Sequence, residues 1–183
     1  MKRLVLVLAI TGCAHANPAR TLPQTPLVEL QLDDGRASER PLTPNQTFEV
    51  LMRFEPGLAE WNVKRLRFLL AQPGRIAFTL YAEGPDGRPG RALASFQHDY
   101  DGALVSTGKD GRWVVEELDV PEGRGPLWIG YWSASGDARL WASSNATGAV
   151  FQRDADPQTP LASTRIPRTP MLRVEVAPWR PSS

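Results

Sequence analysis

Thiols and imidazoles are the groups best able to attack, relay protons or hold metals near neutral pH. The 183 residues contain one cysteine, Cys13, and two histidines, His15 and His98. His15 follows Cys13 closely, in a proline-rich stretch. His98 stands near Asp99 and Asp101, a grouping that could hold a metal or act as a base, or simply end a strand in a solvated loop. Glu116-Glu117 is the right residue type for glycoside cleavage, but strand neighbours point to opposite faces, so the two cannot flank one bond. No Gly-x-Ser-x-Gly, Ser-x-x-Lys or His-Glu-x-x-His occurs. The expectation is a protein that is not an enzyme, with no catalytic residues and no cofactor.

The aromatic residues are the stronger lead. In Leu127-Trp128-Ile129-Gly130-Tyr131-Trp132, strand alternation puts Leu127, Ile129 and Tyr131 on one face and Trp128, Gly130 and Trp132 on the other. Ala134-Ser135-Gly136-Asp137 is a hairpin signal, and beyond it Arg139 and Trp141 alternate with Ala138, Leu140 and Ala142. If that hairpin forms with its aliphatic side in the core, Trp128, Trp132, Trp141 and Arg139 share an outer face. Gly130 then leaves a gap between two indoles. Flat aromatic faces beside an arginine suit sugar rings and other flat or amphipathic ligands. The alternative is that the tryptophan face is itself core, since sandwiches use Trp as filler.

Positioning these residues falls to short runs with a two-residue period. Val28, Leu30 and Leu32 alternate with polar neighbours, and Phe48, Val50, Met52 and Phe54 alternate with Glu49, Leu51 and Arg53. Leu66, Phe68 and Leu70 share one face and Ile76, Phe78 and Leu80 another, with Gln72-Pro73-Gly74 between them as a hairpin turn. Residues 58–70 could begin as a helix, but Arg65 and Arg67 alternating with Leu66 and Phe68 make the second half a strand. Gly84-Pro85-Asp86-Gly87-Arg88-Pro89-Gly90 is a strong break, and further runs are expected at 93–98, 113–120, 127–133, 138–143, 149–152 and 171–176. The pattern predicts an all-β chain forming a single β-sandwich, of jelly-roll type, with about eight to ten strands. The proline-rich stretch 154–170 either covers the aromatic face or serves as a crossover.

The N-terminus reads as an address. Met1-Lys2-Arg3 is basic, Leu4 to Ile10 is an apolar run of seven, and Ile10-Thr11-Gly12-Cys13 ends it with small residues. A membrane-spanning helix needs ~20 apolar residues, so this segment is too short to cross. The tetrapeptide resembles the lipobox of bacterial lipoprotein precursors. That resemblance implies cleavage before Cys13, lipidation of Cys13 and a mature protein tethered to a membrane of the bacterial cell envelope. It also gives a lone cysteine a use other than a disulfide. Ala14 after the cysteine implies, by the same resemblance, the outer membrane if the host has one. The expected organisation is a signal peptide at 1–12, a lipid anchor and Pro-rich tether at 13–26, a β-sandwich domain at 27–178 and a tail at 179–183.

Composition excludes more than it suggests. Without Lys2 and Arg3, 19 basic residues face 20 acidic ones, a net charge of −1. No basic excess argues for nucleic acid as a partner. The basic residues comprise 18 Arg and three Lys, which reflects a GC-rich genome more simply than a binding surface.

Landmark order adds a second likeness. Leu80-Tyr81-Ala82-Glu83-Gly84-Pro85-Asp86-Gly87-Arg88-Pro89-Gly90 precedes Gly111-Arg112-Trp113, then a run ending at Pro121, then Leu127-Trp128-Ile129-Gly130. This order resembles galactose-binding-like jelly-roll domains, accessory modules of bacterial surface proteins. The resemblance implies a structural calcium, for which Asp33-Asp34-Gly35 and the loop containing Asp154 and Asp156 are candidates. Each loop offers only two carboxylates, and Asp also favours turns by bonding its own backbone. Three functions remain in view: a glycan- or ligand-binding module for an envelope polysaccharide, a structural or assembly lipoprotein binding another envelope protein, and, far behind, a hydrolase.

Overall fold

The period-two runs become strands because each presents one apolar face to a shared core. The computed structural model describes residues 26–38, 40–42, 48–107, 111–145, 149–154 and 166–179. Cys13, His15, Asp156, almost all of the 13–26 tether, most of the tail and most of the 154–170 stretch lie outside the described residues. The strands are β1 (Val28–Gln31), β2 (Phe48–Phe54), β3 (Glu60–Phe68), β4 (Leu70–Gln72), β5 (Gly74–Glu83), β6 (Pro89–Tyr100) and β7 (Val114–Arg124). There follow β8 (Leu127–Ser133), β9 (Arg139–Leu140), β10 (Ala142–Ser143), β11 (Val150–Asp154), β12 (Thr169–Pro170) and β13 (Leu172–Pro178). Among the described residues the only helical element is a single 3₁₀ turn at Gly102–Leu104, capped by the Asp101 side chain.

Two antiparallel sheets pack face to face as an all-β sandwich. One runs β1-β13-β3-β7 and the other β11-β2-β8-β5-β6. Their inner faces meet through Val63, Leu66, Phe68, Leu172, Val174 and Val176 on one side and Val50, Met52, Phe54, Ile76, Phe78, Leu80, Ile129 and Tyr131 on the other. Phe68 and Phe78 bridge the layers with ring centroids 5.1 Å apart, and Phe68 meets Tyr100 edge-on at 5.2 Å. Trp61 opens β3 deep in this core, its indole N–H donating to the Gly125 carbonyl at 2.8 Å.

The two hairpins expected from turn residues do not form. β3 and β5 belong to different sheets, so Gln72-Pro73-Gly74 is a crossover between layers. β8 pairs with β2 and β5, whereas 138–143 splits into β9, which pairs with β4, and β10, which pairs with β12. Ala134-Ser135-Gly136-Asp137 does turn the chain, with Gly136 at φ 81°, but the segment leaves β8's sheet. The hairpin that does form is β5–β6, closed where the Gly84 amide donates to the Arg88 carbonyl at 2.7 Å. β7 continues through Pro121 to Arg124, which an edge position permits because its outer amides carry no ladder. The region 58–70 is strand over Glu60–Phe68, with no helical opening.

Candidate functional site

The outer face of the five-stranded sheet follows from register. Leu51 lies opposite Gly130 and Arg53 opposite Trp128, while Ala77, Thr79 and Tyr81 lie opposite Trp132, Gly130 and Trp128. Phe151 lies opposite Leu51, and Arg153 opposite Glu49. Trp128 and Trp132 thus sit on the outer face, as alternation predicts. They do not form an open platform. Trp128 is 1% exposed, its ring centroid 5.4 Å from that of Phe151 and its indole N–H donating to Glu83 at 3.0 Å. The space that Gly130 leaves between the indoles is filled by Glu49, since a Cβ at 130 would lie 1.8 Å from Glu49 Oε1.

Glu49 is itself held. Arg153 pairs with it, donating Nε at 3.1 Å and a closer second contact from Nη2. The Tyr81 hydroxyl donates to Glu49 Oε1 at 3.0 Å and accepts from Arg153 Nη2 at 2.8 Å. The Arg153 guanidinium lies 5.1 Å from the centre of the Tyr81 ring. Burial, and then the Glu49 charge, push the Tyr81 hydroxyl above its ordinary value, so it stays a neutral donor. Both Glu49 oxygens, the Tyr81 hydroxyl and two of the Arg153 nitrogens bond within this network, and it acts as a lock joining β11 to β2 and β5.

Trp141 and Arg139 lie elsewhere. The missing hairpin separates them from β8, which corrects the expectation of one shared aromatic face. Trp141 is half-buried, its indole N–H donating to the Ser106 carbonyl at 3.0 Å. Arg139 sits opposite Gln72 in the β4–β9 pair.

The acidic loops divide as well. Asp33 accepts from the Gly35 amide at 2.8 Å and takes both arms of Arg173, at 2.8 and 3.1 Å. Its oxygens are spent on a turn and an ion pair. Asp154 ends β11 exposed to solvent. Among the described residues no group of three or more His, Cys, Asp or Glu is placed to hold a metal ion.

His98 meets a carboxylate that its sequence neighbours did not suggest. Asp99 is bound to Arg75 at 2.7 and 3.0 Å, and Asp101 caps the 3₁₀ turn. The partner is Glu116 of the other sheet, 3.2 Å from His98 Nδ1, which also accepts from the Tyr100 hydroxyl at 2.8 Å. Burial, and then this carboxylate, push the Tyr100 hydroxyl well above its ordinary value. Glu117 points the other way, to Arg65 at 2.8 Å, so the adjacent glutamates do take opposite faces.

His98 and Glu116 lie on β6 and β7, the edge strands that close one side of the sandwich. Along the same side is a cleft of about 420 Å³. Glu83 of β5, Arg91 and Leu93 of β6, and Glu122, Gly123 and Arg124 of β7 line it. Glu83 accepts from Arg53 at 2.5 and 3.1 Å as well as from the Trp128 indole, and Arg53 first, then Trp128, hold its carboxyl below the ordinary glutamate value. Trp128 therefore acts on the cleft by fixing one wall. No sequence pattern marked Arg91 or Arg124; the only signals nearby were the Gly84–Gly90 break and Pro121-Glu122-Gly123.

The Glu83 shift carries a pH expectation. A carboxyl lowered on folding adds stability above its unfolded value and loses it as pH falls through its folded value. Acid titration should release the Trp128 indole only below the ordinary glutamate range, and Glu83→Gln should abolish that step. Tryptophan fluorescence against pH reads it. An unchanged acid transition in the variant would show that Glu83 does not hold Trp128.

Compared with known proteins, the chain matches no family model, no curated protein and no solved structure.

Proposed function

We propose that this chain is a lipid-anchored module of the bacterial envelope that binds a saccharide in the cleft between β6 and β7. The observation that carries the reading is the cleft itself. Its volume of about 420 Å³ lies within the ~300–1,000 Å³ usual for ligand pockets. Its lining departs from the usual apolar one. The charged groups of Glu83, Arg91, Glu122 and Arg124 share it with Ala82, Leu93 and Gly123, and Leu93 is the largest aliphatic contact. Such a surface offers directional hydrogen bonds to hydroxyls and disfavours a lipophilic guest. The order of the long strands, β1-β13-β3-β7 over β2-β8-β5-β6, supports the jelly-roll assignment, with β11 added beside β2.

A second reading, an assembly lipoprotein binding another envelope protein, draws on the edges. β6 and β7 have 12 and 11 residues, and each has one unpaired flank. Long open edges accept a strand from a partner. Pro121 within β7 and the exposed Arg91, His98 and Asp99 on β6 work against it, as edge-guarding residues do.

Binding of the full chain to immobilised polysaccharides tests the first reading. Retention by at least one polysaccharide, weakened by Leu93→Asp and unaffected by Val115→Asp on the exposed side of β7, is the expected result. Retention that ignores Leu93→Asp would place the site elsewhere.

Anchoring is tested separately. Cys13→Ser should prevent lipid attachment and move the protein from the membrane to the soluble envelope fraction. A serine variant that stays with membranes after a high-salt wash would refute the lipobox reading. The sandwich should unfold at the parent temperature, because Cys13 precedes every strand among the described residues.

A further inference from the structure

We infer that the saccharide taken by the β6–β7 cleft is acidic, its carboxylate or phosphate received by the Arg91 guanidinium; this rests on the saccharide reading above. The argument is a charge account of the cleft wall. Glu83 is answered by Arg53 and by the Trp128 indole. Glu122 accepts from Arg124 at 3.0 and 3.2 Å, and Arg124 reaches Glu60 as well at 2.7 Å. Arg91 alone among the charged lining residues has no hydrogen bond or ion pair among the described residues. The cleft therefore presents one uncommitted guanidinium, with both of its carboxylates already satisfied.

A guanidinium offers five donors in a planar fork that matches the paired oxygens of a carboxylate or phosphate. A neutral sugar hydroxyl uses one of them and leaves the charge unanswered. Leu93 follows two residues along the same strand and gives the ring an apolar contact beside the fork. Sequence neighbours do not supply a competing anion. Asp86 is turned to the Arg88 amide at 3.2 Å, and Asp99 is held by Arg75.

The test is binding of the purified full chain to alginate, to phosphomannan and to neutral dextran. Three proteins are compared: the parent, Arg91→Ala and Arg112→Ala. Arg112 is exposed and does not line the cleft. The expected result is preference for an acidic polymer over dextran and loss of roughly tenfold or more in affinity for Arg91→Ala. Arg112→Ala should bind as the parent does. Alginate against phosphomannan decides whether the acid is a carboxylate or a phosphate. The variant should melt with the parent, since the Arg91 side chain makes no polar contact among the described residues. Equal binding of dextran, undiminished binding by Arg91→Ala, or an equal loss in Arg112→Ala would overturn the acidic ligand and leave a saccharide site standing. Failure of all three polymers to bind would overturn both readings.

Discussion

Trp61→Ala is expected to lower the unfolding free energy by about 3–5 kcal/mol, the cost of emptying a large core position. That is a large share of the ~5–15 kcal/mol that holds a domain folded. The side chain is fully buried, and its indole N–H is bound to the Gly125 carbonyl. Its ring lies flat over Gly123 of β7, the residue paired with it in register. A Cβ on residue 123 would lie 2.2 to 2.5 Å from three ring atoms. The ring is rigid and enclosed, so Gly123→Ala must displace it or the strand. Overpacking of this kind costs ~1–3 kcal/mol, occasionally more. The two changes should couple, because the alanine methyl fits only where the indole is gone. In a double-mutant cycle, Gly123→Ala should cost clearly less in the Trp61→Ala background. Urea midpoints read all four proteins, and strict additivity would refute the contact. Gly123 also lines the cleft, so on the proposed saccharide reading its substitution should weaken binding as well as the fold.

The alternation of Val50, Met52 and Phe54, of Ile76, Phe78 and Leu80, and of Leu127, Ile129 and Tyr131 was readable because burial of one strand face imposes a period of two. The same rule separated Glu116 from Glu117. Local signals were silent about which sheet the next strand joins. Gln72-Pro73-Gly74 and Ala134-Ser135-Gly136-Asp137 mark turns, and a turn that closes a hairpin looks the same in sequence as one that crosses between layers. β9, β10 and β12, with two residues each, are shorter than any period can register. The carboxylate that meets His98 is Glu116 of the other sheet, and no spacing encodes that pairing or the gathering of Glu83, Arg91 and Arg124 around one cleft. Gly130 shows the limit most sharply. Its missing side chain signalled a close approach, which is correct, but the approaching group is Glu49 rather than a ligand.

That close approach yields the second large effect. Glu49→Ala is expected to cost about 3–5 kcal/mol, because removing one partner of a buried ion pair strands the other. The Glu49 and Arg153 side chains are only 9% and 15% exposed, so water cannot readily replace the lost carboxylate. The Tyr81 hydroxyl loses its acceptor at the same time. Glu49→Gln keeps the shape and an acceptor for Tyr81 but removes the charge facing Arg153, so its cost should fall between the parent and Glu49→Ala. Gly130→Ala should mimic the loss by another route. Its methyl occupies the place of Oε1, and the carboxylate can make room only by abandoning Arg153 and Tyr81. Combining Gly130→Ala with Glu49→Ala should then cost little more than Glu49→Ala alone, since the methyl fills the space that the carboxylate vacates. Replacing Glu49 and Arg153 together by methionine removes the stranded charge and should recover much of the stability, as apolar replacements of buried ion pairs often do. Chemical denaturation of these variants separates an ion-pair lock from simple packing. If Glu49→Ala costs under about 0.5 kcal/mol, the scale of an ordinary surface substitution, the network is an exposed pair and β11 is held to β2 by its ladder alone.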